Sequence, residues 1–107
     1  MLEHYVNYIK NHSFSPVQQA LGKELVIEQS GELSVYYAPF EYINKEAKII
    51  ICGITPGIQQ AILALEEASK QLAQGSSIET TKKAAKNTAS FAGPMRKNLI
   101  RLLDYIG

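Results

Sequence analysis

Lys48-Ile49-Ile50-Ile51-Cys52-Gly53-Ile54-Thr55-Pro56-Gly57 is an unbroken apolar run that ends in a short Gly/Thr/Pro/Gly turn, directly ahead of a long helical pattern. Apolar side chains at consecutive positions suit a strand covered on both faces, as in parallel or mixed α/β sheets. The run therefore predicts a central strand. The turn that follows lies where open α/β folds place ligands, at the carboxyl end of a strand and the amino end of the next helix, where backbone N–H groups are free.

Outward from this stretch, Ile58, Ala61, Ile62, Leu65, Ala68 and Leu72 fall at steps of three and four, the stripe of a helix facing a sheet. Gly75 stops it, and Ser76-Ser77-Ile78-Glu79 offers a fresh cap for a helix running to about Lys86. That helix is poor in large apolar residues, which predicts a loosely packed, mobile, solvent-facing element. Ser90-Phe91-Ala92-Gly93 reads as a loop. Pro94 then starts a last helix whose buried stripe is expected to be Met95, Leu99, Leu102, Leu103 and Ile106.

Towards the amino end, Asn44-Lys45-Glu46 forms the turn into the apolar run, with Pro39 limiting the preceding strand. Glu24–Glu28 and Leu33–Ala38 flank Gln29-Ser30-Gly31-Glu32 as a hairpin, with Leu33, Val35 and Tyr37 on the face for the core. Leu2, Tyr5, Val6 and Ile9 predict a first amphipathic helix over 2–12, and Ser15-Pro16 caps a short helix through Leu21, ended by Gly22. His4 and His12 have no partner at ligand spacing, so no metal and no cofactor is expected.

The fold class is therefore α/β, a three-layer α/β/α arrangement with a mostly parallel central sheet, an N-terminal helix and a β-hairpin. All 107 residues form one domain. The sheet is incomplete in this inventory: the apolar strand wants a neighbour on each side, and the hairpin supplies one at most. A bare edge of that kind is adhesive. The domain is thus expected to be partial, with the sheet completed by further chain, by a partner or by self-association. No apolar window spans a bilayer and Met1-Leu2-Glu3-His4-Tyr5 has no signal-peptide character, so no membrane partner and a cytoplasmic location are expected. Cys52 reads as a small buried residue without charged neighbours to activate its thiol.

The net charge of +1 conceals an asymmetry. Residues 1–79 carry five lysines against nine glutamates, whereas residues 80–107 carry Lys82, Lys83, Lys86, Arg96, Lys97 and Arg101 against Asp104 alone. Such a segment suits a phosphate backbone, and equally a pair of solvated helix faces.

The Gly53-Ile54-Thr55-Pro56-Gly57 turn lacks the endings of a Walker A loop or a dinucleotide fingerprint. It resembles the first active-site motif of the uracil-DNA glycosylase superfamily, whose mismatch-specific branch has Gly-Ile-Asn-Pro-Gly there. Ser90-Phe91-Ala92-Gly93-Pro94 is similar to that family's Pro-Phe-Val-Gly segment, which opens a helix and carries the aromatic that stacks on the extruded base. The two motifs span residues 47–105, the N-terminal portion of such a domain.

The resemblance implies a DNA partner with uracil or another damaged base, and base-excision hydrolysis of the N-glycosidic bond in full-length relatives. It implies that Gly53, Ile54, Pro56, Gly57, Phe91 and Gly93 hold the base, and that Lys82, Lys83, Lys86, Arg96, Lys97 and Arg101 follow the DNA backbone. Phe91 reads equally as a core aromatic. Thr55 stands at the catalytic position where the mismatch-specific branch has the water-positioning asparagine; its hydroxyl can orient water but cannot act as a carboxylate base. The family's later motif is expected beyond Gly107, so this chain alone is expected to excise little. A non-catalytic nucleic-acid or nucleotide-binding module and an interaction protein that completes its sheet with a partner are the alternatives.

Overall fold

The computed structural model describes residues 1–14 and 21–107. The short helix expected from Ser15-Pro16 lies outside the described residues. A 3₁₀ turn over Leu2–His4 leads into α1 (Val6–Asn11), so the predicted first helix is present in two pieces. A second 3₁₀ turn, Lys23–Leu25, precedes the antiparallel pair β1 (Val26–Ser30) and β2 (Leu33–Tyr36). Three helices follow: α2 (Ile58–Ala73), α3 (Ile78–Ala89) and α4 (Pro94–Ile106).

The core is helical. Leu2, Ile9, Leu65, Ala68, Ala85 and Ala89 are wholly buried, joined by Leu25, Phe14 and Tyr37 from the connecting segments. α2 packs principally on α3, and α1 packs on α2. The expectation that α3 is loose and solvent-facing is corrected here. Ala85 and Ala89 are small enough to let the two helix backbones approach closely, so the scarcity of large residues is what permits the contact. Ser77 caps α3 as expected, its Oγ accepting the Thr80 N–H at 3.2 Å. Thr81 is fully buried on the same face, and its hydroxyl has no hydrogen-bond partner among the described residues.

At the hairpin, Gly31 (φ 59°) supplies the left-handed turn residue between the strands. Only Tyr37 of its expected core face is buried; Leu33 and Val35 are exposed. Tyr37 stacks on Tyr5 at a ring separation of 4.3 Å, and its hydroxyl donates to Glu41 Oε1 at 2.7 Å. Glu41 Oε2 accepts the Leu2 N–H at 2.8 Å, which ties the first turn of the chain to the segment after β2. At Asn44 the expected turn is present, with Oδ1 accepting the Glu46 N–H at 3.1 Å.

Three further expectations are corrected. The Lys48–Gly57 run forms no strand: the sheet of the described residues consists of β1 and β2, and the run pairs with neither of their open edges. Its side chains stand in the open, Ile50 at 81% and Ile54 fully exposed. Cys52, expected to be buried, is exposed with it. The stripe on α4 is not buried either: no residue of that helix is buried, and Leu102, Leu103 and Ile106 are exposed. The architecture is a mixed α/β one, four α-helices and a two-stranded antiparallel sheet among the described residues.

Two global measures agree with this exposure. The accessible surface is 7825 Å², against about 5900 Å² for a compact monomer of this mass. The radius of gyration is 14.8 Å, against about 13 Å for a compact domain of this length.

Candidate functional site

Of the two motifs singled out in the sequence, the Gly57 end of one and the Ala92-Gly93-Pro94 end of the other meet in space. Gly57 and Gly93 are the N-caps of α2 and α4, and they line opposite sides of one open cleft of about 540 Å³ together with Ile58, Gln60, Leu63 and Met95. Gln60 reaches across it, its Nε2 donating to Met95 Sδ at 3.9 Å. Neither helix has a side-chain cap, so first-turn N–H groups of α2 remain without an intrahelical acceptor at the cleft. The walls are otherwise apolar. Such a space suits a flat, mostly apolar group with a few polar edges.

The two glycines differ in what the backbone asks of them. Gly93 has φ 81°, which an L side chain rarely adopts. Gly57 has φ −70° and ψ 167°, open to any residue, and a Cβ built there meets nothing within 4 Å. Backbone geometry therefore does not demand glycine at position 57. What its absence of a side chain provides is room at the cleft.

The remaining motif residues are divided. Thr55 and Pro56 line a second cavity of about 320 Å³ on the other side of Ile58, with Ser34, Tyr36 and Ala61. Ile58 borders both cavities. Gly53 and Ile54 line neither; Ile54 projects into solvent. Phe91 is half-buried, lines neither cavity and sits at φ 53°, the one non-glycine in the left-handed region among the described residues. That conformation costs roughly 1–2 kcal/mol for an L residue. The Phe91 ring is thus not placed against the cleft, although its backbone leads into the Gly93 wall.

The six basic residues also divide. Lys82 is mostly covered and pairs with Glu79 at 3.0 Å and Glu3 at 3.8 Å; its hydrogen bond to Glu79 is the main influence raising its pKa. Glu3 in turn is held down at about 2, first by its hydrogen bond with the Met1 ammonium. Lys86 Nζ donates to the Tyr42 carbonyl at 2.6 Å. Arg96 donates to the carbonyls of Asn87, Thr88 and Ser90. These three cations therefore serve the chain itself. Lys83, Lys97 and Arg101 are exposed, and their side chains make no hydrogen bond or ion pair among the described residues. The sequence marks all six by charge; the Glu79–Lys82 pair is legible as an i, i+3 spacing on one helix, whereas Glu3 and the backbone carbonyls that occupy Lys86 and Arg96 follow no local pattern.

Among the described residues, no three His, Cys, Asp or Glu side chains converge in a way that holds a metal ion, and no helix is long and apolar enough to cross a membrane. Tyr8 and Phe14 pack around the ring of His12.

Comparison with known proteins adds one relative. Over 82 residues, 76% of this chain, the sequence is 44% identical to the "Uncharacterized protein YoxB" of Bacillus subtilis (strain 168). Those residues are 32% of that protein, so the chain spans about a third of the length of the curated relative it matches. No family model matches the sequence. No solved structure matches it either.

Proposed function

We propose that this chain is part of a uracil-DNA glycosylase-like domain and supplies two walls of a nucleobase pocket, the turn ending at Gly57 and the turn at Gly93-Pro94. The observation that carries this reading is their convergence across one cleft, although 35 intervening residues separate them in the chain. A base taken out of the DNA stack offers a flat apolar face and a polar edge, matching apolar walls and the free N–H groups at the start of α2. Lys83, Lys97 and Arg101 are the cations left to approach phosphates.

Excision requires the bond between the sugar's anomeric carbon and the base nitrogen to break, its electron pair leaving with the base, while water adds to the anomeric carbon and gives up a proton. Thr55 is a neutral alcohol and lies on the far side of Ile58 from the Gly93 wall. It is poorly suited to activate that water here. The finer architecture belongs to the same proposal: Ile49–Ile54 becomes a central strand of a parallel sheet when further strands flank it. The bare apolar surface of that segment, the hairpin and α4 supports this, as does a relative about three times as long as the matched stretch.

The test is binding and turnover on matched oligonucleotides. The purified chain is expected to bind a uracil-containing single strand more tightly than its thymine counterpart, weakening steeply with salt, and to form few or no abasic sites. Equal affinity for the two strands, or no binding at low salt, contradicts the pocket reading.

The exposed apolar surface also favours a second reading, an interaction module whose sheet is completed by a partner or a second copy. A monodisperse monomer in gel filtration that exposes no dye-binding apolar surface would contradict it.

A further inference from the structure

The last turn of a helix leaves four carbonyls without intrahelical donors. In α3 these belong to Lys86, Asn87, Thr88 and Ala89, and every one of them has found a donor. Ser90 N–H reaches the Lys86 carbonyl at 2.9 Å and Ala92 N–H reaches the Ala89 carbonyl at 3.1 Å. The other two are taken by one side chain: Arg96 Nη2 donates to Asn87 O at 2.9 Å and to Thr88 O at 3.1 Å. The same guanidinium also holds the Ser90 carbonyl, through Nη2 at 2.6 Å and Nε at 3.2 Å.

The usual device at such a helix end is a glycine in the left-handed conformation. Here Phe91 adopts that conformation instead, against its preference. Something must therefore hold the turn. Arg96 sits in the first turn of α4, folded back over the end of α3, and its positive charge faces the negative end of that helix. Apart from Gln60 on Met95, these are the hydrogen bonds that α4 side chains make to the rest of the molecule among the described residues. None of the helix's apolar side chains is buried.

We propose that Arg96 is a positioning residue whose guanidinium locks the Phe91–Gly93 turn onto the end of α3, and so sets the Gly93 wall of the cleft opposite Gly57. It acts within the chain, and a phosphate would have to compete with three carbonyls for it. Arginine is required because its planar fork serves several acceptors at fixed angles, whereas a lysine presents a single ammonium. What the cleft binds rests on the nucleobase reading above; the positioning role does not.

The experiment compares wild type, R96K and R96A by amide hydrogen exchange and by affinity for a uracil-containing single strand across a salt series. In R96K, exchange of the Ala92 amide is expected to quicken by about tenfold or more while the Leu65 amide in α2 keeps its protection. Affinity is expected to fall on the order of tenfold with an unchanged salt slope. Unaltered Ala92 exchange in R96K overturns the proposal. So does full affinity in R96K together with a salt slope lower by about one in R96A, the mark of a phosphate contact.

If R96K disturbs the whole fold, Phe91→Gly in the same background should restore Ala92 protection, since glycine takes the left-handed conformation freely. No recovery in that double variant also overturns the proposal. Absence of any oligonucleotide binding by wild type contradicts the nucleobase reading, and the exchange data still decide the role of Arg96.

Discussion

Leu65 in α2 and Ile50 in the extended segment are both aliphatic residues of strongly apolar stretches, yet Leu65 is wholly buried and Ile50 is 81% exposed. The difference lies in their neighbours. Around Leu65, α1, α2 and α3 cover one another with small residues at the α2–α3 contact. Around Ile50 no strand pairs and no helix face covers the side chain among the described residues. The helical side of the molecule closes on itself, whereas the hairpin, the 48–57 segment and α4 leave apolar side chains exposed.

Cavity-forming substitutions should separate the two regions most sharply. Leu65→Ala is expected to lower stability by about 3 kcal/mol, and Ile50→Ala to change it by about 0.5 kcal/mol or less, as measured by urea unfolding. Equal losses would mean that the segment is packed in solution.

The hydrogen bonds at Glu41 test how firmly the amino end is fastened to the helical side. Burial alone would raise the Glu41 pKa, but the Tyr37 hydroxyl, the Leu2 amide and the Met1 ammonium together outweigh it and hold the carboxylate below its ordinary value. A depressed carboxyl contributes stability above its unfolded pKa, near 4.5, and that contribution is lost as the pH falls through the lower folded value. Unfolding midpoints should therefore fall in acid, and the loss should shrink in Glu41→Gln. Removing the acceptor altogether, Glu41→Ala, should cost about 2 kcal/mol at neutral pH.

A smaller gain is expected inside the helical side. Thr81 buries a hydroxyl with no partner among the described residues, so Thr81→Val, close in shape, should stabilise by about 1 kcal/mol. A loss of that size would point to a bound water serving the hydroxyl. Gly57→Ala should be nearly silent in stability, within about 0.5 kcal/mol, because its backbone suits any residue and a Cβ finds open space.

What the sequence made legible was what is decided locally. Ser77, Pro94 and the glycine after α2 mark helix ends by their own chemistry, and the i, i+3, i+4 stripe of α2 matches its buried face from Ile62 to Leu72, while Ile58 at its start is exposed and Ala64, outside the stripe, is buried. Burial on the other side could not be read in the same way. An apolar run signals that it can be buried, not what covers it, and Ile49–Ile54 and the α4 stripe stay uncovered among the described residues. α3 was legible in position but not in packing, since alanine is a weak apolar signal in sequence and a means of close approach in space. The site was legible as two glycine turns. Their meeting depends on the tertiary arrangement of α2 and α4, and the inward turn of Arg96 depends on carbonyls that no sequence displays.

The central claim is that the Gly57 and Gly93 turns form the walls of a nucleobase pocket. A titration of the isotope-labelled chain with free uracil, followed by amide chemical shifts, tests it most directly. We expect saturable shifts concentrated at Gly57, Ile58, Gln60, Ala92 and Gly93, reduced in Gly57→Ala. No shifts at millimolar uracil, or shifts confined to the Thr55 side of Ile58, would contradict it.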